Sequence, residues 1–262
     1  MTTYGTHETY GVTFPRVLRA EWSKLWSLRS TWWTLGGTVA LVLALAVGAG
    51  IATDTTGNGP AGDPMDVSLF GVNFAQLILP ALGALITAGE YANRSVRSTM
   101  TAVPRRLPVL WAKSAVFGAV VLALLLATAF AAFALAQVFL ADTRLATSFG
   151  DRGVVRALCG AAVSTALLGV LGLALGALLR SAPAAIGVFV VVLTALPQFA
   201  SALPYAWVDT AVHHTPLPAG QGLMAVVPQP DLPGPLAGLV TLAVWAAVTL
   251  IAAAVLLRRR DV

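Results

Sequence analysis

The 262-residue chain is 58% hydrophobic and only 10% charged, a composition that excludes an ordinary soluble globular protein. Its formal net charge of +5 could indicate a nucleic-acid partner. The basic residues, however, flank long apolar runs, where anionic lipid headgroups would meet them. We therefore predict a polytopic membrane protein that contacts membrane lipids and binds no nucleic acid.

The first predicted element is an amphipathic helix over residues 14–29. Its apolar side chains recur on one helical face, and basic side chains fall opposite: Phe14, Val17, Leu18, Trp22, Leu25 and Trp26 against Arg16, Arg19 and Lys24. Thr13 can cap this helix, which should lie in the membrane interface rather than cross the membrane. Glu21 interrupts the apolar face, and an ion pair with Lys24, three residues on, is its simplest explanation.

Six apolar runs follow, each long enough for the roughly 20 residues that cross a bilayer as a helix. The predicted spans are residues 31–53, 69–89, 114–140, 154–179, 183–203 and 236–257. They lack the ten-residue alternation of a membrane barrel, so only helices satisfy their backbone groups. The sequence thus predicts an all-α fold with a single transmembrane domain over residues 1–262.

Between the second and third spans lies a basic island, residues 90–113, in which six charged residues are concentrated: Glu90, Arg94, Arg97, Arg105, Arg106 and Lys113. Glu90 and Arg94 have the spacing of a helical ion pair, Pro104 should interrupt the helix, and Pro108 can start another. The island is either a helix-turn-helix-like projection or, as the residues alone favour, a loop that only sets topology.

The distribution of charge predicts the orientation. Thirteen of the 16 Lys and Arg residues lie on the side of both termini and the island, and seven of the 11 acidic residues lie on the other side. Basic loops are retained in the cytoplasm, so we predict cytoplasmic N- and C-termini. The opposite side has a proline-rich loop, residues 198–235, whose segments 205–212 and 219–227 are either re-entrant or interfacial helices or parts of an ordinary surface loop.

The sequence offers no catalytic, cofactor-binding or metal-binding residues. A phosphate-binding loop and the common hydrolase and zinc motifs are missing, and adjacent His213 and His214 point in different directions. No charged residue lies well inside a span. We therefore expect the main polar positions of the spans to satisfy the helix backbone or neighbouring helices: Thr87, Thr128, Gln137, Ser164, Thr165, Thr194 and Thr241.

Small residues form a strip on the fourth span, at Ala162, Ala166, Gly169, Gly172 and Gly176. Such strips let helices approach closely, either inside one chain or between two copies. In a chain so rich in alanine and glycine, we favour packing inside the chain.

Short motifs recur along the chain in a defined order relative to the six spans. They are Arg19-Ala-Glu21-Trp22-Ser-Lys24-Leu-Trp-Ser-Leu-Arg29-Ser-Thr31, Gly89-Glu90-Tyr91, Arg97-Ser-Thr99, Val103-Pro104-Arg105-Arg106, Ala112-Lys113, Leu175-Gly176-Ala-Leu-Leu-Arg180-Ser181, Leu217-Pro218-Ala219-Gly220-Gln221 and Arg258-Arg-Arg-Asp261. Together they resemble the membrane subunit of bacterial type-2 ABC transporters, especially six-span permeases. One departure is the polar His213-His214-Thr215 that precedes Leu217.

The resemblance implies a multi-pass subunit of the bacterial plasma membrane that exports a hydrophobic or amphipathic substrate. A separate cytoplasmic ATPase would bind ATP and Mg²⁺, and a second copy or a paralogous permease would complete the pathway. The implied ATPase-coupling residues are Glu90, Arg94, Arg97, Thr99, Pro104, Arg105, Arg106 and Lys113, and those of the interfacial helix are Glu21, Trp22, Lys24 and Arg29. The alternative is a standalone membrane protein: a secondary transporter, a channel, or an immunity or scaffold protein.

Overall fold

A computed structural model describes residues 13–56, 63–92, 106–200 and 205–259, and all regular structure within these ranges is helical. In chain order the helices are α1 (Phe14–Ser27), α2 (Arg29–Thr56), α3 (Pro64–Ser68), α4 (Phe70–Ala92), α5 (Arg106–Leu140), α6 (Val154–Leu179), α7 (Ala182–Ala200), α8 (Ala206–His213), α9 (Pro216–Met224) and α10 (Pro235–Arg259). Six of them, α2, α4, α5, α6, α7 and α10, are long and apolar enough to span a membrane. The predicted all-α, multi-pass architecture is confirmed.

Helix α6 is the most deeply buried of the six, and α4, α5, α9 and α10 pack around it. The predicted small-residue strip explains how closely α4 approaches. A Cβ atom added to Gly172 would lie 2.2 Å from the carbonyl oxygen of Pro80, and one added to Gly176 would lie 2.7 Å from that of Ala84. The strip therefore packs inside the chain, as the sequence favoured.

Helix α5 begins at residue 106, eight residues before the predicted third span. Val109, Leu110 and Ala112 are buried in this added part of the helix, and Val109 and Ala112 pack with Val17 of α1. The extension is thus a consequence of packing against α1.

Helix α1 is two residues shorter than the predicted interfacial helix. It ends at Ser27, Leu28 is extended, and Arg29 begins α2. Thr13 does occupy the N-cap position, but its side chain makes no capping hydrogen bond. The residues that α1 buries are Val17, Glu21 and Leu25, spaced one helical turn apart. The charged Glu21 therefore lies at the centre of the packed face.

From residue 205 onward, where the structure describes the proline-rich segment, two short helices lie close to the predicted segments 205–212 and 219–227. Of these, α9 is largely buried and packs against α6 and α10. The turn before it is tied to α10, because the indole Nε1 of Trp245 donates to the carbonyl oxygen of His214 at 2.8 Å. This part of the loop is consequently an integral layer of the helical bundle.

Candidate functional site

Four charged side chains from three helices meet at the end of the bundle where most described basic residues lie. The Lys113 ammonium on α5 donates to Oε2 of Glu21 on α1 at 2.5 Å and to Oε1 of Glu90 on α4 at 2.7 Å. Oε1 of Glu90 also binds the ammonium of Lys24 on α1. We call Glu21, Lys24, Glu90 and Lys113 the charge cluster.

Each helix places its residue through local packing. Glu21 lies between Val17 and Leu25 on the buried face of α1, and Lys113 follows the fully buried Ala112 on the part of α5 that receives this face. Glu90 lies near the end of α4. The cluster therefore joins α1 to the two helices that flank residues 93–105.

The cluster balances two carboxylates with two ammonium groups in a largely dry environment. The Glu21 and Lys113 side chains are only 5% and 6% exposed, that of Glu90 is 15% exposed, and that of Lys24 is 33% exposed. Burying an ion costs several kcal/mol unless an opposite charge and hydrogen bonds compensate. Lys113 supplies that compensation to both carboxylates, so it is the residue on which the cluster depends.

The predicted ion pair between Glu21 and Lys24 is wrong. Both residues lie on α1, but Glu21 binds Lys113 and Lys24 binds Glu90. The side chain of Glu21 points into the bundle, where α5 supplies a buried cation that short-range spacing rules do not consider.

The structure brings together only part of the predicted coupling set. Glu90 and Lys113 belong to the charge cluster, whereas Trp22 is half-exposed and Arg29 is exposed at the start of α2. Arg106 is the first residue of α5. The remaining predicted residues lie outside the described part of the chain, namely Arg94, Arg97, Thr99, Pro104 and Arg105.

Sequence reasoning missed Gln76, which makes a buried polar contact in the bundle core. Gln76 on α4 is fully buried, and its Nε2 donates to Oγ of Ser164 on α6 at 3.1 Å and approaches Sδ of Met224 at 3.7 Å. A glutamine in the middle of an apolar span was the available signal, because polar residues there tend to link helices. The contact joins α4, α6 and α9.

At the opposite end of the bundle, Asp63 connects two segments that are distant in sequence. It is buried, and its carboxylate accepts from the backbone N–H of Met65 at 2.9 Å and of Val227 at 2.7 Å, and also from that of Val226. Asp63 therefore caps α3 and holds the chain after α9 against it.

The neighbouring Asp66 has a pKa above the ordinary aspartate value. Partial desolvation is the main cause and the charge of Asp63 the second, while hydrogen bonding to the Asp63 backbone and to Gln229 opposes the shift. Ionised Asp66 is thus less favourable in the folded chain than in the unfolded chain.

Replacing Asp66 with asparagine should raise stability at neutral pH. With a raised folded pKa, the carboxyl destabilises the fold as pH rises through that value, whereas below the unfolded value of about 3.9 both states are protonated and the difference vanishes. The measurement is detergent-phase unfolding of both proteins at about pH 3 and about pH 7. Asp142→Asn, at an exposed site, is the control; an equal gain there would contradict the assignment.

The adjacent His213 and His214 lie at the end of α8. Within those ranges no group of three or more His, Cys, Asp or Glu residues could hold a metal ion. His214 instead places its ring Nδ1 2.8 Å from the carbonyl oxygen of Thr210, one turn earlier. The His214 ring therefore provides a hydrogen-bond partner for a backbone carbonyl group near the end of α8.

Comparison with known proteins yields no family assignment. The chain matches no protein-family model, and no curated protein is significantly similar to it. The functional argument therefore depends on the geometry of the charge cluster and on the sequence motifs.

Proposed function

We propose that this chain is the membrane-spanning permease subunit of an ATP-driven ABC exporter, energised by a separate cytoplasmic ATPase. The observation that carries the proposal is the charge cluster, which links the amphipathic helix α1 to the end of α4 and the start of α5. These two helix ends flank residues 93–105, the segment that would dock on the ATPase. The expected plasma-membrane location and cytoplasmic termini are parts of this proposal.

The cluster gives the proposed docking segment a mechanical connection to the bundle. Lys113 binds Glu21 and Glu90 at once, so a displacement at either end of residues 93–105 would move α1, α4 and α5 together. Motion is transmitted between sites when packed elements share such contacts. A second copy or a paralogous permease would provide the other wall of an export pathway for a hydrophobic or amphipathic substrate.

Replacing both Arg105 and Arg106 with alanine should abolish co-purification with an ATPase encoded beside this chain. The change removes two basic groups from the proposed docking surface while leaving the charge cluster intact. Transport and ATP hydrolysis, measured in vesicles containing both subunits, should become uncoupled, with membrane insertion unchanged. The matched control is Arg258→Ala with Arg259→Ala, which removes the same charge from the end of α10 and should preserve coupling.

Two results would reject the proposal. One is wild-type ATPase binding and coupling in the Arg105 and Arg106 variant, which would remove the docking role. The other is substrate transport by the purified chain without any ATPase, which would favour a standalone transporter. Glu90→Gln is a useful companion variant, because it retains an oxygen acceptor for Lys113 while removing the charge.

A further inference from the structure

A cavity of about 430 Å³ lies beside the charge cluster, between α1, α2, α4 and α5. Its volume falls within the range of small-molecule sites, roughly 300–1,000 Å³. Apolar side chains form most of one wall, with Leu82, Leu85 and Ile86 contributed by α4 and Val116 by α5. The charge cluster lines its polar end. The cavity is therefore amphipathic.

The polar end of the cavity has hydrogen-bond donors that have no partner within the described part of the protein. Thr31 on α2 is 1% exposed and lines the cavity, yet its Oγ1 has no hydrogen-bond partner. A buried hydroxyl without a partner is costly, which points to a group that occupies the cavity. Lys24 also lines the cavity, and an ammonium has three donors, of which the contact with Glu90 uses one.

The two carboxylates of the cluster are already paired with the buried ammonium of Lys113. An incoming cation would have to compete with that lysine, whereas an anion can add to Lys24 and Thr31 without breaking a contact. The exposed Arg29, next to the lining residue Ser30, adds positive charge nearby. The charge cluster itself is balanced, so the donors of Lys24 and Thr31, with Arg29 nearby, are what favours an anionic group at this end of the cavity.

The rest of the cavity favours a lipid over a soluble anion. Leu28 and Leu85 both line it and are still 43% and 50% exposed, so the cavity is open on an apolar side. Trp22, Trp32 and Trp33 are exposed on the adjoining turns of α1 and α2. Tryptophan gathers at the membrane–water interface, which places the opening at headgroup level.

We propose that this cavity is a binding site for an anionic phospholipid. Its phosphate accepts hydrogen bonds from Thr31 and Lys24, and the upper part of one acyl chain lies along Leu82, Leu85 and Ile86. The lipid completes the wall between α1 and α4. It thereby shields the charge cluster from water.

The test uses the full chain reconstituted in phosphatidylcholine vesicles that contain phosphatidylglycerol with a photoactivatable diazirine in its acyl chain. Mass spectrometry of peptides should place the cross-link within residues 82–86. Unlabelled phosphatidylglycerol should compete with labelling, whereas added phosphatidylcholine and inorganic phosphate should not.

Thr31→Val should weaken the competition by phosphatidylglycerol roughly threefold to tenfold, as expected for one lost hydrogen bond. The matched control is Thr38→Val, because Thr38 is equally buried on α2 but its hydroxyl donates to the carbonyl oxygen of Thr34 at 2.7 Å. Leu85→Trp, which fills the cavity from a half-exposed position, should abolish labelling of residues 82–86.

Each alternative result overturns the proposal in a distinct way. Equal competition by phosphatidylcholine would mean unselective lipid contact, and competition by inorganic phosphate would mean a soluble anion. Unchanged labelling in Leu85→Trp would place the lipid elsewhere. If Thr31→Val fails to fold, Thr31→Ser should bind as the wild type does, and a loss in this hydroxyl-retaining variant would exclude the hydrogen bond.

Discussion

Replacing Lys113 with methionine should lower the free energy of unfolding by about 3–5 kcal/mol, as expected for breaking a buried ion pair from one side. The variant retains most of the apolar volume but leaves the carboxylates of Glu21 and Glu90 without their shared cation. The measurement is denaturant unfolding of the purified chain in detergent. Lys24→Met is the control, because the Lys24 side chain is one-third exposed and its ion pair should contribute less than about 1 kcal/mol.

A second substitution separates charge from packing in this experiment. If uncompensated charge is the cause, Glu21→Gln in the Lys113→Met background should recover part of the lost stability, since it removes one of the stranded carboxylates. If Lys113→Met and Lys24→Met lower the free energy of unfolding equally, burial of Lys113 does not increase its contribution to stability. No recovery in the double variant would attribute the loss to packing alone.

The helices could be predicted because crossing a bilayer imposes a length and a composition on each one. For α5, Pro108 predicted a helix start close to the observed one. The burial of Val109 and Ala112 by α1 could not be predicted, because hydropathy does not encode that contact. The resemblance pointed to all four residues of the charge cluster, but their contacts with one another could not be predicted. Glu21 and Lys113 are 92 residues apart, whereas the spacing rule for helical ion pairs considers only neighbours such as Lys24.

For the interior contacts, residue types predict that a contact is needed, and the tertiary structure identifies the partner. The strip containing Gly172 predicts close helix packing, but only the fold shows that α4 is the partner. Likewise, the polar Ser164 predicts a contact with its own helix backbone or with a neighbouring helix, and only the fold shows that Gln76, 88 residues away, is a partner. Sequence thus indicates which positions need a neighbour, and topology determines which neighbour they receive.

Replacing Gly172 with alanine should push α4 and α6 apart and destabilise the fold by about 1–3 kcal/mol, the usual cost of overpacking a core. The new Cβ would lie 2.2 Å from the carbonyl oxygen of Pro80, and backbone cannot rotate away as a side chain can. Unfolding in detergent is again the measurement. Gly48→Ala in α2 is the control, because nothing lies within 4 Å of its added Cβ, and it should be neutral or stabilising by up to about 1 kcal/mol.

Gly172→Ala should also weaken the charge cluster, because Pro80 and Glu90 lie on the same helix, α4. Displacing α4 would loosen the contact of Glu90 with Lys113, so part of what Lys113→Met removes would already be lost. The double variant Gly172→Ala with Lys113→Met should therefore cost less than the sum of the two single changes. If the losses of the two single variants add exactly, α4 shifts only near Pro80, and core packing does not affect the charge cluster.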